Sequence, residues 1–374
     1  MEKVKIQLKK TGHAFYKILI GHNFSKNIAK FLRKEFPESV CVIIADETVK
    51  KLYGENLRKE LKKNGQKVFL FSIPEGERSK NQKYKTMIEE KMLKLRIGRQ
   101  SVIVAIGGGV VGDLAGFIAA TYMRGIPCIQ VPTTLLAMVD SSIGGKTGID
   151  TEQGKNLIGA FWQPRAVFVD LKYIQSLSQR QFINGLVEAV KVFLTSDANS
   201  FLYVEKHISI ILKRNQEALK KVITSAVSIK ARVVERDERE SGERMILNFG
   251  HTVGHALENL SQYKIPHGYA VALGIIIEAG IAVDTGKLKI SDYSRIKNLL
   301  INKMGIELKT LGAYKPKEIL DHAKNDKKSK NGKSRYVILK EIGKVYVCKN
   351  MFAHHVKDSA VIRVLNKINL ANKK

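Results

Sequence analysis

The feature that most constrains this chain is an alternation confined to its first half. Between residues 39 and 170, short β-branched runs trade places with amphipathic stretches. The runs are SVCVIIAD (39–46), KVFLFSIP (67–74), SVIVAIGGG (101–109), PCIQVP (127–132) and AVFVD (166–170). Helical patterns lie between them, in ETVKKLYGENLRKELKKNG, NQKYKTMIEEKMLKL and VVGDLAGFIAATYM. Such alternation predicts an α/β unit around a largely parallel sheet, with ligands at the C-terminal strand ends. After residue 170 the strand signal nearly vanishes. QRQFINGLVEAVKVFLTS, NQEALKKVITSAVSIKARVVERDE and HGYAVALGIIIEAGIAVDTG read as helices, and only RYVILKEIGKVYVC (335–348) has β character. The 374 residues exceed one ordinary core. The expected division is a Rossmann-like α/β domain over residues 1–178 and a mainly α-helical domain over residues 179–374.

Composition narrows the function classes. A 44% hydrophobic content with 7 prolines fits a compact globular chain. No 18-residue apolar run stands out, and the opening MEKVKIQLKK lacks the apolar core of a signal peptide. Three cysteines, odd in number and in apolar contexts, suit a reducing cytoplasm better than a disulfide framework. The net charge of +29 raises the question of a polyanionic partner. The lysines are nevertheless spread along the chain without a basic arm or basic–aromatic interleaving, which disfavours nucleic acid and leaves a small acidic substrate open.

Four motifs carry chemistry. In AIGGGVVGD, Gly107, Gly109 and Gly112 fit G-x-G-x-x-G between a strand and a helix, where backbone N–H groups can cradle a pyrophosphate. The usual acidic residue about 20 positions on is missing, so Asp46, ending an upstream strand, is the candidate for ribose hydroxyls. VPTTLLAMVDSSIGGKTGIDTEQGKNLIGAFWQP (131–164) sets Asp140, Lys146, Lys155 and Asn156 among glycines, which suits a phosphate or hydroxylated ligand or a flexible loop. In GLVEAVK, Glu188 and Lys191 fall one turn apart, and taken alone they read as a surface ion pair. In ERMILNFGHTVGH, Arg244, Asn248, His251 and His255 recur at helical spacing, so His251 and His255 could ligate a metal together.

The run GGGVVGDLAGFIAATYMRGIP, the segment 131–164, and GLVEAVK, LNFGHTVGHALE, PHGYAVALG and DKKSKNGKSRYVIL occur in an order that strongly resembles the 3-dehydroquinate synthase family across nearly the whole chain. The resemblance implies a cytoplasmic homodimer that uses NAD and a divalent zinc or cobalt ion. It would convert 3-deoxy-D-arabino-heptulosonate 7-phosphate to 3-dehydroquinate and phosphate in the shikimate pathway. It implies Glu188, His251 and His267 as metal ligands, with His255 catalytic, which displaces the His251–His255 pairing suggested by spacing. Lys146 and Glu240 join His255 as catalytic candidates. Asp46, Glu77, Lys80, Gly108, Gly109, Val110, Asp113, Thr133, Thr134 and Lys155 would hold NAD. Asp140 and Lys191 would lie near ring hydroxyls, and Lys230 and Arg244 would anchor the carboxylate. Lys146, Asn156, Asn248 and Lys327 would meet the phosphate, with Arg124 reaching in from a partner subunit.

The chain departs from the family where Tyr269 follows His267-Gly268, a place that usually carries glutamate, and where Ile275 replaces a common methionine. A glutamate there could orient the second nitrogen of His267, so Tyr269 suggests either a weaker metal site or a position that faces away from the ion and matters little. The alternatives are another sugar-phosphate cyclase, making an inosose or a valiolone, and a metal-dependent alcohol or glycerol dehydrogenase. The first would need no carboxylate anchor, and the second would consume NAD.

Overall fold

The computed structural model describes residues 1–7, 15–324 and 334–371. Two compact units emerge, residues 1–178 with 230–235, and residues 179–229 with 236–374.

The first unit contains strands β1 (Glu2–Gln7), β2 (Phe15–Gly21), β3 (Val40–Asp46), β4 (Val68–Ile73), β5 (Ser101–Gly107), β6 (Cys128–Pro132), β7 (Lys146–Thr151), β8 (Gly154–Phe161) and β9 (Ala166–Asp170). Its helices are α1 (Ser25–Glu35), α2 (Glu47–Val49), α3 (Glu55–Lys63), α4 (Gln82–Lys94) and α5 (Gly109–Thr121). Seven strands form one sheet in the order β1-β2-β9-β6-β5-β3-β4. Only β1 runs antiparallel to its neighbour. Strands β5, β6 and β9 are buried at every residue, as expected of parallel strands covered on both faces, and that is why they read as unbroken apolar runs. The chain runs from β3 to β4 at one edge, then returns to set β5 on the other side of β3. This reversal creates a crevice at the C-terminal ends of β3 and β5, the usual ligand position in such sheets. The pairing Ile44↔Ala105, carried two residues on, brings Asp46 level with Gly107, while Gly107 pairs with Pro132.

Strands β1 and β2 fall outside the sequence-based expectation, although Lys3, Val4, Lys5 and Ile6 alternate in β1. Segment 146–161, where a flexible loop was open, is an antiparallel hairpin, β7 with β8. Helix α5 packs on β7, and a Cβ at Gly116 would overlap Thr147.

The second unit holds α6 (Gln179–Ser196), α7 (Ala198–Leu212), most of α8 (Gln216–Arg236), α9 (His251–Leu260), α10 (His267–Asp284), α11 (Ile290–Lys297), α12 (Pro316–Lys324) and α13 (Asp358–Ala371). Short strand pairs complete it, β10 (Arg335–Tyr336) with β13 (His354–His355) and β11 (Leu339–Glu341) with β12 (Lys344–Val345). Helix α10 corrects the expectation that no long apolar run exists, for its 18 residues have a mean hydropathy of 1.4. It meets the length and hydropathy of a membrane span, but 72% of it is buried, the signature of a core helix apolar all round. The expected helical continuity of ERMILNFGHTVGH is also corrected. A 3-10 turn over Glu243–Asn248 ends before Gly250, whose φ of 78° breaks the helix, and α9 begins at His251.

Candidate active site

In the first unit, the Gly-rich turn sits where the sequence puts it. Gly108 caps α5 and Gly109 opens it, so the helix N-terminus follows directly on the C-terminal end of β5, with Val110 in its first turn. The Thr133 N–H donates to the Gly107 carbonyl at 2.9 Å, which holds Thr133 and Thr134 against the turn. The Asp46 Oδ1 accepts from the Val49 N–H at 2.8 Å and so caps α2.

Lys80 is the hub of a charged cluster. Its buried Nζ lies 3.1 Å from Glu77, 3.1 Å from Asp113 and 3.6 Å from Asp150, and donates to Asn156 Oδ1 at 2.7 Å. Lys155 Nζ stands 3.8 Å from Glu77. Burial opposes the charge of Lys80, but the carboxylates outweigh it and raise its pKa. Burial pushes the Asp113 carboxyl up to about 6, against the pull of Lys80. The structure therefore gathers Glu77, Lys80, Asp113 and Lys155, and it adds Asn156 to this group. Asp150 is a member that sequence reasoning missed. Its own N–H donates to the Lys80 carbonyl at 2.7 Å and its Oδ1 accepts from the Asn156 N–H at 2.9 Å, tying β7 and β8 to the cluster. Residues 230–235 of α8 belong to this unit, and there Lys230 Nζ donates to the Asp140 carbonyl at 2.7 Å and to its carboxylate. Lys146 and Arg124 are exposed, and Arg124 has a φ of 65°.

In the second unit, three helices converge on one donor group. Glu188, His251 and His267 each offer an atom within 4.8 Å of the others. Glycines make the convergence possible. A Cβ at Gly268 would overlap the Asn184 carbonyl, so α10 can start against α6, one turn before Glu188. The Asn184 Oδ1 accepts from the Gly268 N–H at 2.6 Å and fixes that start. A Cβ at Gly274 would overlap the Gly250 carbonyl, so α9 lies close on α10 and brings His251 alongside. The wholly buried Glu278 of α10 accepts from the Gly250 N–H at 2.9 Å, a carboxylate at the N-terminus of α9.

The His251 and His267 rings cross at 66° but present the same nitrogen to Glu188. His251 Nε2 is 3.8 Å and His267 Nε2 is 3.5 Å from Glu188 Oε1. Their other nitrogens point to acceptors, His251 Nδ1 to the Phe249 carbonyl at 3.2 Å and His267 Nδ1 to Glu258 Oε2 at 3.0 Å. Burial disfavours a charged His267, but Glu258 and Glu188 prevail and lift its pKa to about 10. The site favours positive charge. Glu188 and Lys191 do form an ion pair, at 2.5 Å, but it is buried, which corrects the surface reading. His255 stands at the edge of the group, its ring 5.3 Å from His251 and 6.1 Å from His267. A second set, His255, Glu258 and His267, also fits within 4.8 Å, so His251 and His255 fall in different sets. Tyr269 does not replace an orienting carboxylate here. Glu258 meets His267, while Tyr269 is partly buried and has Arg180 and Glu307 as its charged neighbours.

In the same unit, the Asp237 carboxylate collects the N–H groups of Ser241, Gly242 and Arg244 at 2.9, 2.7 and 3.0 Å. Burial pushes this carboxyl up, but those three bonds hold it below the ordinary range. The turn they build presents Glu240, at a φ of 60°, to Asn248 Nδ2, which donates to its Oε1 at 2.7 Å. The buried Arg244 donates to the Glu238 carbonyl. Lys327 lies outside the described residues. Glu258, Glu278, Asp237 and Asn184 carry no motif, because each acts through its place in three dimensions.

These two groups define a class of protein that joins a dinucleotide-type turn on a parallel sheet to a helical unit bearing a carboxylate–imidazole donor set. Residues 70–184 match the family described as 3-dehydroquinate synthase N-terminal, and residues 185–329 match 3-dehydroquinate synthase C-terminal. A 3-dehydroquinate synthase from Desulforamulus reducens is 41% identical over 95% of this chain and 98% of its own. The chain belongs to the 3-dehydroquinate synthase family. Among solved structures, 2-deoxy-scyllo-inosose synthase complexed with carbaglucose-6-phosphate, NAD+ and Co2+ is 26% identical, covers 98% of this chain and 100% of its own, and has a TM-score of 0.88. The 2-epi-5-epi-valiolone synthase of Streptomyces hygroscopicus with NAD+ and Zn2+ is 24% identical, covers 98% and 100%, and has a TM-score of 0.86, a likeness of fold.

Proposed function

We propose that this protein is a cytoplasmic enzyme that converts 3-deoxy-D-arabino-heptulosonate 7-phosphate to 3-dehydroquinate and phosphate. The observation that carries the reading is the convergence of two imidazole Nε2 atoms on Glu188 Oε1, each with its Nδ1 at an acceptor, in a chain of this family. One carboxylate and two imidazoles are a fitting donor set for zinc or cobalt, the ion displacing the proton that the neighbouring carboxylates hold on His267, and three protein ligands leave positions open for substrate oxygens. When bound, the ion would supply a Lewis acid for the alcohol being oxidised and NAD would supply a reversible hydride acceptor.

The chain's own residues supply the rest. Glu188, His251 and His267 would hold the ion. Asp46, Gly108, Gly109, Val110, Asp113, Thr133 and Thr134, with Glu77, Lys80 and Lys155, would hold NAD at the sheet crevice. Lys191 and Asp140 would orient ring hydroxyls, while His255, Lys146 and Glu240 would hold or move protons on the substrate oxygens. Asn248 and Lys146 would bind the phosphate, with Asn156, Lys327 and a partner subunit's copy of the 124 position. Lys230 and Arg244 would read the carboxylate through charge-assisted hydrogen bonds, the feature that favours this reaction over inosose or valiolone synthesis. A substrate without that carboxylate forgoes both charge-assisted bonds, costing roughly 10²-fold or more in kcat/KM.

The test is a product assay with protein, NAD and zinc. The heptulosonate phosphate should give phosphate and 3-dehydroquinate in equal amounts. Inosose formation from glucose 6-phosphate with equal efficiency would contradict the reading.

A further inference from the structure

The far sides of the two imidazoles are held by different chemistry. His251 Nδ1 meets a backbone carbonyl, a neutral acceptor that any sequence supplies. His267 Nδ1 meets a carboxylate, Glu258 Oε2, at 3.0 Å. Glu258 is only 4% exposed and stands on α9 seven residues after His251, two turns along the same face. The His267 ring therefore lies between two carboxylates from two other helices, Glu258 on one nitrogen and Glu188 on the other. Burying a second carboxylate in this cluster is costly unless its charge is used.

We propose that Glu258 is a positioning residue for the metal, accepting the His267 Nδ1–H so that the Nε2 lone pair points at the ion held with Glu188 and His251. Its charge also strengthens His267 as a donor, because a carboxylate on the remote N–H makes an imidazole more basic. The inference rests on the metal set proposed above. The neighbouring set of His255, Glu258 and His267 offers a rival, in which Glu258 would itself ligate. An ion bound to Glu258 and His267 Nδ1 would have to break the 3.0 Å hydrogen bond that the structure shows, so positioning is the role the geometry favours.

Zinc dissociation constants, measured by competition with a calibrated chelator, test this without recourse to turnover. Glu258→Ala should weaken zinc by about 10–100-fold. Glu258→Gln keeps an acceptor oxygen without the charge, so it should recover part of that loss and shift the visible spectrum of the cobalt-loaded protein. Both variants should keep a metal to protein ratio of one at saturating zinc, and the thermal midpoint of metal-free Glu258→Gln should match that of the metal-free wild type. Should Glu258→Ala not fold, the glutamine variant alone carries the comparison. Zinc affinity within twofold of wild type in Glu258→Gln, together with an unchanged cobalt spectrum, overturns the inference. Loss of zinc as complete as in His267→Ala also overturns it, by making Glu258 a ligand. Wild-type protein that binds no zinc would instead bring down the metal reading itself, and the two failures are told apart by that control.

Discussion

His251 and His255 stand one helical turn apart on α9, yet the two side chains have different tasks in this account. The Nε2 of His251 faces Glu188, whereas His255 belongs to the neighbouring set at the rim. Replacing His251 with alanine should abolish stoichiometric zinc retention, since a three-ligand site has none to spare. His255→Ala should keep its zinc and lose turnover, and zinc analysis after gel filtration separates the two. Equal zinc loss in both would contradict the assignment. Asp113 supports a prediction of a different kind, in the cofactor cluster. Its folded pKa of about 6 lies above that of an exposed aspartate, so the folded state binds the proton more tightly than the unfolded chain. The destabilisation it causes is therefore small at pH 4, grows as pH rises toward 6 and is constant above that. The stability of wild type relative to Asp113→Asn should fall across that window, by up to about 3 kcal/mol, in urea unfolding followed at several pH values. A difference independent of pH would show that Lys80 neutralises Asp113 fully.

At the scale of elements, the donor group depends on how closely α6, α9 and α10 approach. A Cβ at Gly274 would strike the Gly250 carbonyl, so Gly274→Ala must push α9 away from α10. Overpacking of this kind should cost about 1–3 kcal/mol of stability. It should also weaken zinc binding, because His251 opens α9 while His267 opens α10. Chemical denaturation and chelator competition on the same variant measure both effects, and an unchanged zinc affinity would show that the helices do not set the ligand distances. The sequence made the apolar strands legible, since a strand buried on both faces has one pattern and little ambiguity. It made Gly107–Gly109 and the three histidines legible as well, through motif and resemblance. What it hid follows from long-range geometry. A one-turn spacing cannot tell a buried Glu188–Lys191 pair from an exposed one, and helical spacing across Gly250 suggested a continuous helix that a positive φ interrupts. Glu258, Glu278 and Asp237 are common residues in common contexts. Only the packing of one helix on another, or the folding of a turn onto a carboxylate, gives them a role.

On the scale of the whole molecule, the account needs both units, and it extends to a second copy of the chain. Arg124 is exposed at the end of a turn and carries a φ of 65°, a conformation costly for a non-glycine residue and often kept at functional sites. If it completes a partner's phosphate site, Arg124→Ala and His255→Ala proteins should each be inactive, and mixing them should restore part of the activity through hybrid dimers. No recovery after demonstrated subunit exchange would place Arg124 outside the site. The central claim is that NAD is used as a catalyst, with the hydride taken and returned within one turnover. The most direct measurement is a reaction with the heptulosonate phosphate in large excess over NAD, following phosphate, 3-dehydroquinate and the absorbance of NADH together. The account predicts many products per NAD and no net rise in NADH. Accumulation of NADH in step with consumed substrate, ending when NAD is exhausted, would contradict it and make the protein a dehydrogenase.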